Sequence, residues 1–209
     1  MARYTDANCR LCRRALEKLF LKGTKCHTEK CSLVKRAYAP GQHGKNNKQK
    51  LSNYAVQLRE KQKVKWMYGV LEKQFRRYFK IASKTKGVTG KVLLQLLERR
   101  LDNVIFRLGF AVSRPQGRQI VRHNFIYVNS KRVNIPSYSV NKDDVIEVKT
   151  NEKAQKKLKE NMELSKDRTI PSWLEFDRQT LKAKVVRFPE KEDILSTIQE
   201  QLIVELYSK

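Results

Sequence analysis

The amino-acid sequence predicts an α+β chain made of a loop-rich N-terminal lobe, a small helical bundle and a helix-plus-antiparallel-sheet unit. Three observations predict it. All four cysteines fall within the first 50 of 209 residues, apolar residues recur at helical spacing from Ser52 to Gly109, and the period changes to that of strands at Phe125. A hydrophobic content of 40 % supplies real but modest cores, enough for one or two domains.

The elements follow in order. Residues 1–50 lack helical periodicity except around Arg13 to Leu21, and they carry the punctuated stretch Tyr38-Ala39-Pro40-Gly41-Gln42-His43-Gly44. Ser52 or Asn53 caps a predicted helix to about Tyr68; Leu71, Phe75, Phe79 and Ala82 mark a second, ending by Gly87. Thr89 caps a third, whose stripe of Val92, Leu93, Leu96, Leu97, Leu101, Val104 and Ile105 ends near Gly109. Ser113 followed by Gln116 reads as a capping box, with Pro115 tolerated in the first turn of a short helix to about His123. Phe125 to Val128, Arg132 to Ile135 and Val145 to Val148 read as strands, with turns at Asn129-Ser130-Lys131 and Asn141 to Asp144. A charged helix is expected over Asn151 to Ser165, then strands at Trp173 to Phe176 and Leu181 to Phe188. The tail, Ile198 to Tyr207, fits a helix by its Leu202/Leu206 and Ile203/Tyr207 pairs, although Ile203-Val204 also suits a strand.

Charge narrows the partner. Lys and Arg number 46 against 21 Asp and Glu, a net charge of +25 that opposes compaction unless a polyanion neutralises it. Nucleic acid is the expected partner. No apolar run approaches the roughly 18 residues of a membrane span, and no basic amphipathic terminus stands alone to lie on one. The opening Met1-Ala2-Arg3-Tyr4 carries no apolar targeting segment, which leads to the expectation of a reducing, cytoplasmic setting. The positive charge is uneven: residues 1–100 hold 26 basic and 6 acidic groups, residues 101–150 hold 8 and 4, and residues 151–209 hold 12 and 11. The first two thirds should therefore meet the nucleic acid.

Cys9 and Cys12 form a CxxC knuckle, and Cys26 and Cys31 a looser pair. Two short-spaced pairs closed by a loop are the pattern of tetrahedral thiolate coordination, because each knuckle presents two sulfurs to one ion. Residues 1–50 hold too few large apolar side chains to bury four unliganded thiols. Four thiolates leave no open position, so the expected ion is structural: one zinc, with an iron-sulfur cluster as the alternative. His27 beside Cys26 is expected at the surface or behind the ligands. The surrounding cations, among them Arg10, Arg13, Arg14, Lys35 and Arg36, make a basic surface suited to phosphate.

Arg114, Arg118 and Arg122 recur every four residues, which places them within roughly an 80° arc of one helix. They are expected to form a basic ridge, extended by Asn129, Lys131 and Arg132 at the strand turn. Gly117, Ile120 and Val121 lie on the adjoining arc, expected to dock on the sheet, and a glycine there points to close packing.

The stretch Ser113-Arg114-Pro115-Gln116-Gly117-Arg118-Gln119-Ile120-Val121, followed by Ile126-Tyr127-Val128-Asn129, resembles the RNA-binding module named after the fourth protein of the small ribosomal subunit. Further likeness lies in Arg10-Leu11-Cys12-Arg13-Arg14, Pro40-Gly41-Gln42-His43-Gly44, Tyr54 to Lys63, Arg100-Leu101-Asp102-Asn103-Val104 and the ending Leu202 to Lys209. The whole chain thus resembles that ribosomal protein family in its four-cysteine bacterial type. The resemblance implies a metal-binding lobe at 1–50, a helical domain at 51–98 completed by 196–209, and an RNA-binding domain inserted at 99–195. It also implies direct binding to the 5′ domain of 16S rRNA, nucleation of body assembly, and a place near the mRNA entry site beside proteins three and five, with a part in decoding accuracy. Residues expected to contact RNA are Arg10, Arg13, Arg14, Lys35, Arg36, His43, Arg59, Lys63, Arg100, Arg114, Arg118, Gln119, Arg122, Asn129, Lys131 and Arg132. Asn124 and Ser130 stand where many relatives have glycine; asparagine tolerates positive φ, serine less well.

Enzymatic readings fail on the sequence. An RNA-modifying enzyme built on the same module needs a separate catalytic domain, and residues 150–209 are too few for one. His27, His43 and His123 sit among cations with no nucleophile in view, and no small-molecule substrate is expected. A zinc-finger transcription factor lacks support, since no recognition helix follows the cysteines. The expected recognition is electrostatic and by shape, as A-form RNA is read through phosphate and 2′-hydroxyl groups more than base edges.

Overall fold

The computed structural model describes residues 3–46, 50–149, 152–166, 168–194 and 197–208. Met1, Ala2 and Lys209 lie outside the described residues, as do Asn151 at the expected start of the charged helix and 195–196 at the expected return of the chain. Two compact units emerge, Met1–Leu93 with Ser196–Lys209, and Leu94–Leu195.

In the first unit, helix α1 spans Asn8–Ala15 and a single turn, α2, spans Ser32–Lys35. The helix was expected around Arg13 to Leu21; it lies earlier because Leu16 takes φ 56° and ends it. The Leu19 amide beyond the break opposes part of the rise in the Cys12 thiol's pKa. Helix α3 covers Asn53–Met67, and Ser52 is its cap, accepting from the Ala55 amide at 3.3 Å. Helix α4 covers Glu72–Lys84 and buries Phe75 and Ala82.

The expected third helix is two helices, α5 over Thr89–Glu98 and α6 over Leu101–Arg107. The stripe is unbroken in sequence, but the backbone leaves it at Arg99 and Arg100. There Val140 donates to the Arg99 carbonyl at 2.9 Å, and the Leu101 and Asp102 amides donate to the Tyr138 and Pro136 carbonyls at 2.8 and 3.1 Å. A distant segment takes the bonds a continuous helix would have made.

The second unit continues with α7 over Arg114–Arg122 and an antiparallel sheet. Its strands are β1 Ile126–Val128, β2 Lys131–Arg132, β3 Val145–Val148, β4 Leu174–Asp177 and β5 Lys182–Val185, ordered β2-β1-β3-β5-β4. Strand β2 is shorter than the predicted Arg132 to Ile135. Val128 pairs Lys131, so Asn129 and Ser130 form a two-residue hairpin loop, both at positive φ as a type I′ turn requires. Asn124 also takes positive φ, at 63°. Helix α8 (Glu152–Glu163) precedes β4. The core gathers Leu101, Ile105, Phe110, Ile126, Ile146 and Trp173, all essentially inaccessible.

The tail is helix α9, Glu200–Tyr207, packed on α3. Gln57 donates to Glu205 at 2.7 Å, and Tyr207 stacks on Phe79 with centroids 4.5 Å apart. The Tyr207 hydroxyl donates to Glu72, which also receives Lys61 at 2.9 Å and Lys65 at 3.1 Å. This carboxylate joins α3, α4 and α9. Partial burial pushes its pKa up, but the three donors outweigh that and hold it at about 2.

A carboxylate with a depressed folded pKa contributes stability above its unfolded value and loses it as pH falls through the folded one. Glu72→Gln should therefore lower stability at neutral pH. Its deficit relative to the wild type, followed by urea unfolding, should shrink below pH 4.5 and close near pH 2. A deficit independent of pH would show that the charge is not what the three donors hold.

Candidate nucleic-acid interface and cysteine cluster

The expected arginine ridge is mostly internal. Arg114, Arg118 and Arg122 do share one side of α7, but Arg114 and Arg118, each 8 % exposed, meet α6, and only Arg122 reaches solvent. The cause is the pair of polar residues on α6. Arg114 Nε donates to Asn103 Oδ1 at 2.8 Å, and Arg118 lies 3.5 Å from Asp102 Oδ2. Arg100, also expected at RNA, is 1 % exposed and donates to both Asp102 oxygens at 3.0 and 2.6 Å. These three cations hold the fold together and are corrected as surface contacts.

Gly117 completes the joint. A Cβ there would sit 2.7 Å from the Asp102 carbonyl oxygen, so only glycine lets α7 approach so closely. The expected capping box is shifted by one residue: Ser113 makes no side-chain cap, and Gln116 accepts from the Val112 amide at 2.7 Å.

Further charged residues that sequence reasoning did not single out extend the network. Glu98, fully buried, accepts Asn103 at 2.6 Å and Arg107 at 2.6 and 3.1 Å. Arg168 donates to the carbonyls of Phe106, Ala111 and Val112 at 2.7, 3.0 and 3.2 Å, and its guanidinium lies 3.9 Å from the Phe106 ring centre. Burial, then the neighbouring Arg114 and Arg107, push its pKa down to about 10. A lone arginine whose partners are backbone carbonyls leaves no pattern in sequence, so nothing there marked it.

Two other candidates have their polar groups taken by partners within the chain. Lys63 is buried, donating to the Thr197 carbonyl at 2.7 Å and pairing with Glu60 and Glu17 at 3.0 and 3.2 Å, because α3 needs a cation under the returning tail. Asn129 is exposed, but its amide is spent: it donates to Asp144 at 2.8 Å and accepts from the Val145 amide at 2.9 Å, fixing the hairpin to β3. Arg122, Gln119, Lys131 and Arg132 remain exposed on the second unit.

On the first unit Arg10, Arg14, Lys35, Arg36, His43 and Arg59 are exposed. Arg13 is half-buried and positions the Tyr38 to Gly44 loop, donating to the Tyr38 and Ala39 carbonyls at 3.0 and 3.3 Å with its guanidinium over the Tyr38 ring. Arg14 reaches the Pro40 carbonyl at 3.4 Å. Gly44 is required in that loop, since a Cβ would collide with the Ala39 carbonyl.

The four cysteines converge. Cys9, Cys12, Cys26 and Cys31 line one small cavity of about 20 Å³ with Leu21, and none is in a disulfide. The Lys22 amide donates to the Cys26 sulfur at 3.4 Å. Burial first, and the other thiols after it, push the Cys12 and Cys26 thiols up, partly offset by those amide donors. Among the described residues, no group of three or more His, Cys, Asp or Glu is arranged to hold a metal ion. The sulfurs thus share a cavity without being drawn into a ligand set. His27 is exposed and rests on Phe20, with ring centres 5.0 Å apart.

Two family models match the chain. Residues 3–98 match the family model described as ribosomal protein S4/S9 N-terminal domain, and residues 99–146 match the S4 domain. Over all 209 residues, and the full length of each relative, the chain is 59 % identical to small ribosomal subunit protein uS4 of Ruminiclostridium cellulolyticum. The corresponding figures are 58 % for that of Acetivibrio thermocellus and 57 % for that of Thermodesulfovibrio yellowstonii.

The α6–α7 joint makes a stability prediction that separates buried from exposed arginines. Arg118→Ala and Gly117→Ala should each destabilise by about 1–3 kcal/mol in denaturant unfolding, the first by stranding part of the Asp102 charge and the second by overpacking. Arg122→Ala should leave the midpoint unchanged; a shift as large as that of Arg118→Ala would contradict its placement at the surface.

Proposed function

The chain belongs to the uS4 family of small ribosomal subunit proteins, and from that premise we propose that it is a non-catalytic structural component that binds 16S rRNA directly. The likeness of 57–59 % over the whole length, with both family modules present, is the observation that carries the reading. It acts by placing cations on folded RNA. Arg10, Arg14, Lys35, Arg36, His43 and Arg59 on the first unit, and Gln119, Arg122, Lys131 and Arg132 on the second, are the candidates left accessible. Arg13, Lys63, Arg100, Arg114 and Arg118 support them from within, and Asn129 holds the hairpin that presents Lys131 and Arg132. Binding to the 5′ domain nucleates assembly of the subunit body. In the assembled particle the protein lies near the mRNA entry site against ribosomal proteins three and five and contributes to accuracy of translation, its place of work being the ribosome in the cytoplasm.

The cysteine cavity holds one structural zinc ion, with an iron-sulfur cluster as the alternative. Four thiols of suitable spacing on one cavity, with amide donors beside two of them, fit a closed thiolate site, and the ion's role is to staple the lobe without taking part in any reaction. Cys9, Cys12, Cys26 and Cys31 would be the ligands.

Co-sedimentation with small subunits and binding to a 5′-domain transcript test the main reading. Changing Arg122, Lys131 and Arg132 to Ala should weaken transcript binding on the order of tenfold or more and reduce the salt dependence, by roughly 0.9 in the log–log slope for each lost phosphate contact, with an unaltered melting temperature. Unchanged affinity at moderate salt would remove this surface from the interface. Metal analysis of anaerobically purified protein should find one zinc per chain; Cys12→Ser should abolish it and lower the stability of the first unit. A chain free of both zinc and iron would end the metal reading.

A further inference from the structure

Helix α4 carries an unexplained charge pattern. Lys73, Arg76, Arg77, Lys80 and Lys84 are all exposed, and at about 100° per residue they fall within roughly a 100° arc. Phe75, Phe79 and Ala82 occupy the opposite side, where Phe75 and Ala82 are fully buried and Phe79 stacks on Tyr207. The stripe runs roughly 16 Å along the helix. It contains like charges at three- and four-residue spacing throughout, an arrangement that destabilises a helix standing in water.

The charged surfaces of α8 and of the sheet do not look like this. On α8, Glu152, Lys156 and Glu160 alternate at four-residue spacing, as do Lys159 and Glu163. On the sheet's outer face Glu147 pairs with Lys182 and Lys149 at 2.9 and 3.4 Å, and Asp143 with Lys184 at 3.4 Å. Along α4, by contrast, no acidic residue occurs from Lys73 through Leu97. The helix's one carboxylate, Glu72, is taken by Lys61, Lys65 and Tyr207, with only Arg76 reaching it from the stripe, at 3.4 Å. Among the described residues, Lys73, Arg77, Lys80 and Lys84 have no ion-pair partner.

A solvated face has no need of a single sign, whereas a partner of regularly spaced negative charge does. We propose that the exposed face of α4, from Lys73 to Lys84, is an additional RNA contact that lies along the phosphate backbone of a helical segment. The inference rests on the rRNA-binding reading above and adds to it a surface that neither the cysteine lobe nor the α7 region contains. Phosphates along one strand recur every ~3.4 Å of helix axis in duplex DNA, so a row of this length spans several of them. Contact is chiefly with phosphate, since the row is a regular line of Lys and Arg ends and the deep major groove of helical RNA keeps side chains from the base edges.

The test compares two variants of the full-length protein matched in charge. One carries Arg77→Gln, Lys80→Gln and Lys84→Gln; the other carries Lys156→Gln, Lys157→Gln and Lys159→Gln on α8. Binding to a small-subunit rRNA transcript is measured across a salt series, and the melting temperature of each free protein at low salt. The α4 variant should bind on the order of tenfold or more weakly, with the salt slope reduced by about 2–3, and should melt at the same temperature as the wild type or higher, because a repulsion has been removed. The α8 variant should lose much less. Equal losses in both variants would reduce the effect to net charge, an unchanged α4 variant would make the stripe a solvated face, and a lowered melting temperature with intact binding would assign it a structural role. Each of these overturns the proposal while leaving the rRNA-binding reading standing. Failure of the wild-type protein to bind the transcript overturns both.

Discussion

The Asp102 carboxylate sits almost wholly out of water between two guanidiniums, and the second unit is arranged around keeping it there. An ionised carboxylate in such a place is costly unless paired, and Arg100 supplies a two-pronged partner from the position that opens α6. Arg118 adds the second charge from α7, so helix docking and charge compensation are the same event. Gly117 then allows the α7 backbone against the Asp102 carbonyl. With α7 seated, Val121 enters the core and the chain reaches β1 after only a few residues, with Asn124 making the turn at positive φ.

Buried cations are unusually numerous around this joint. Arg100, Arg114 and Arg118 are inside, Arg107 and Arg168 nearly so, while Asp102 and Glu98 supply the opposing charge. Arg168 meets the shortfall with backbone carbonyls and the face of Phe106, which need no net charge. A protein of high positive charge thus spends part of it internally as hydrogen-bond donors to carbonyls and amides. What remains outside is grouped: mixed-sign surfaces on α8 and the sheet, and surfaces of one sign where a polyanion can lie.

The first unit depends on a comparable device of smaller scale. Glu72 receives donors from α3 and α9 while Tyr207 covers Phe75 and Phe79, so the last helix of the chain closes the bundle begun near residue 53. The cysteine lobe before it is held by backbone-directed contacts, Arg13 to the Tyr38 and Ala39 carbonyls and amides to sulfur, which is what a lobe poor in large apolar residues has available.

Much of this was legible in the sequence, because apolar period and turn chemistry are local. The caps at Ser52 and near Ser113, the change of period at Phe125, the hairpin at Asn129-Ser130 and the convergence of the cysteine pairs all follow from spacings of a few residues. So does membership of three arginines in one helical face. Tertiary structure alone decided which way that face turned, since Asp102 and Asn103 belong to a different helix and no periodicity reveals an acceptor across a joint. It decided likewise that one continuous apolar stripe is two helices, because the bonds that break it come from residues 136–140. Lys63 looked like a surface contact for the same reason: a side chain's charge is written in the sequence, but its partner is chosen by the fold.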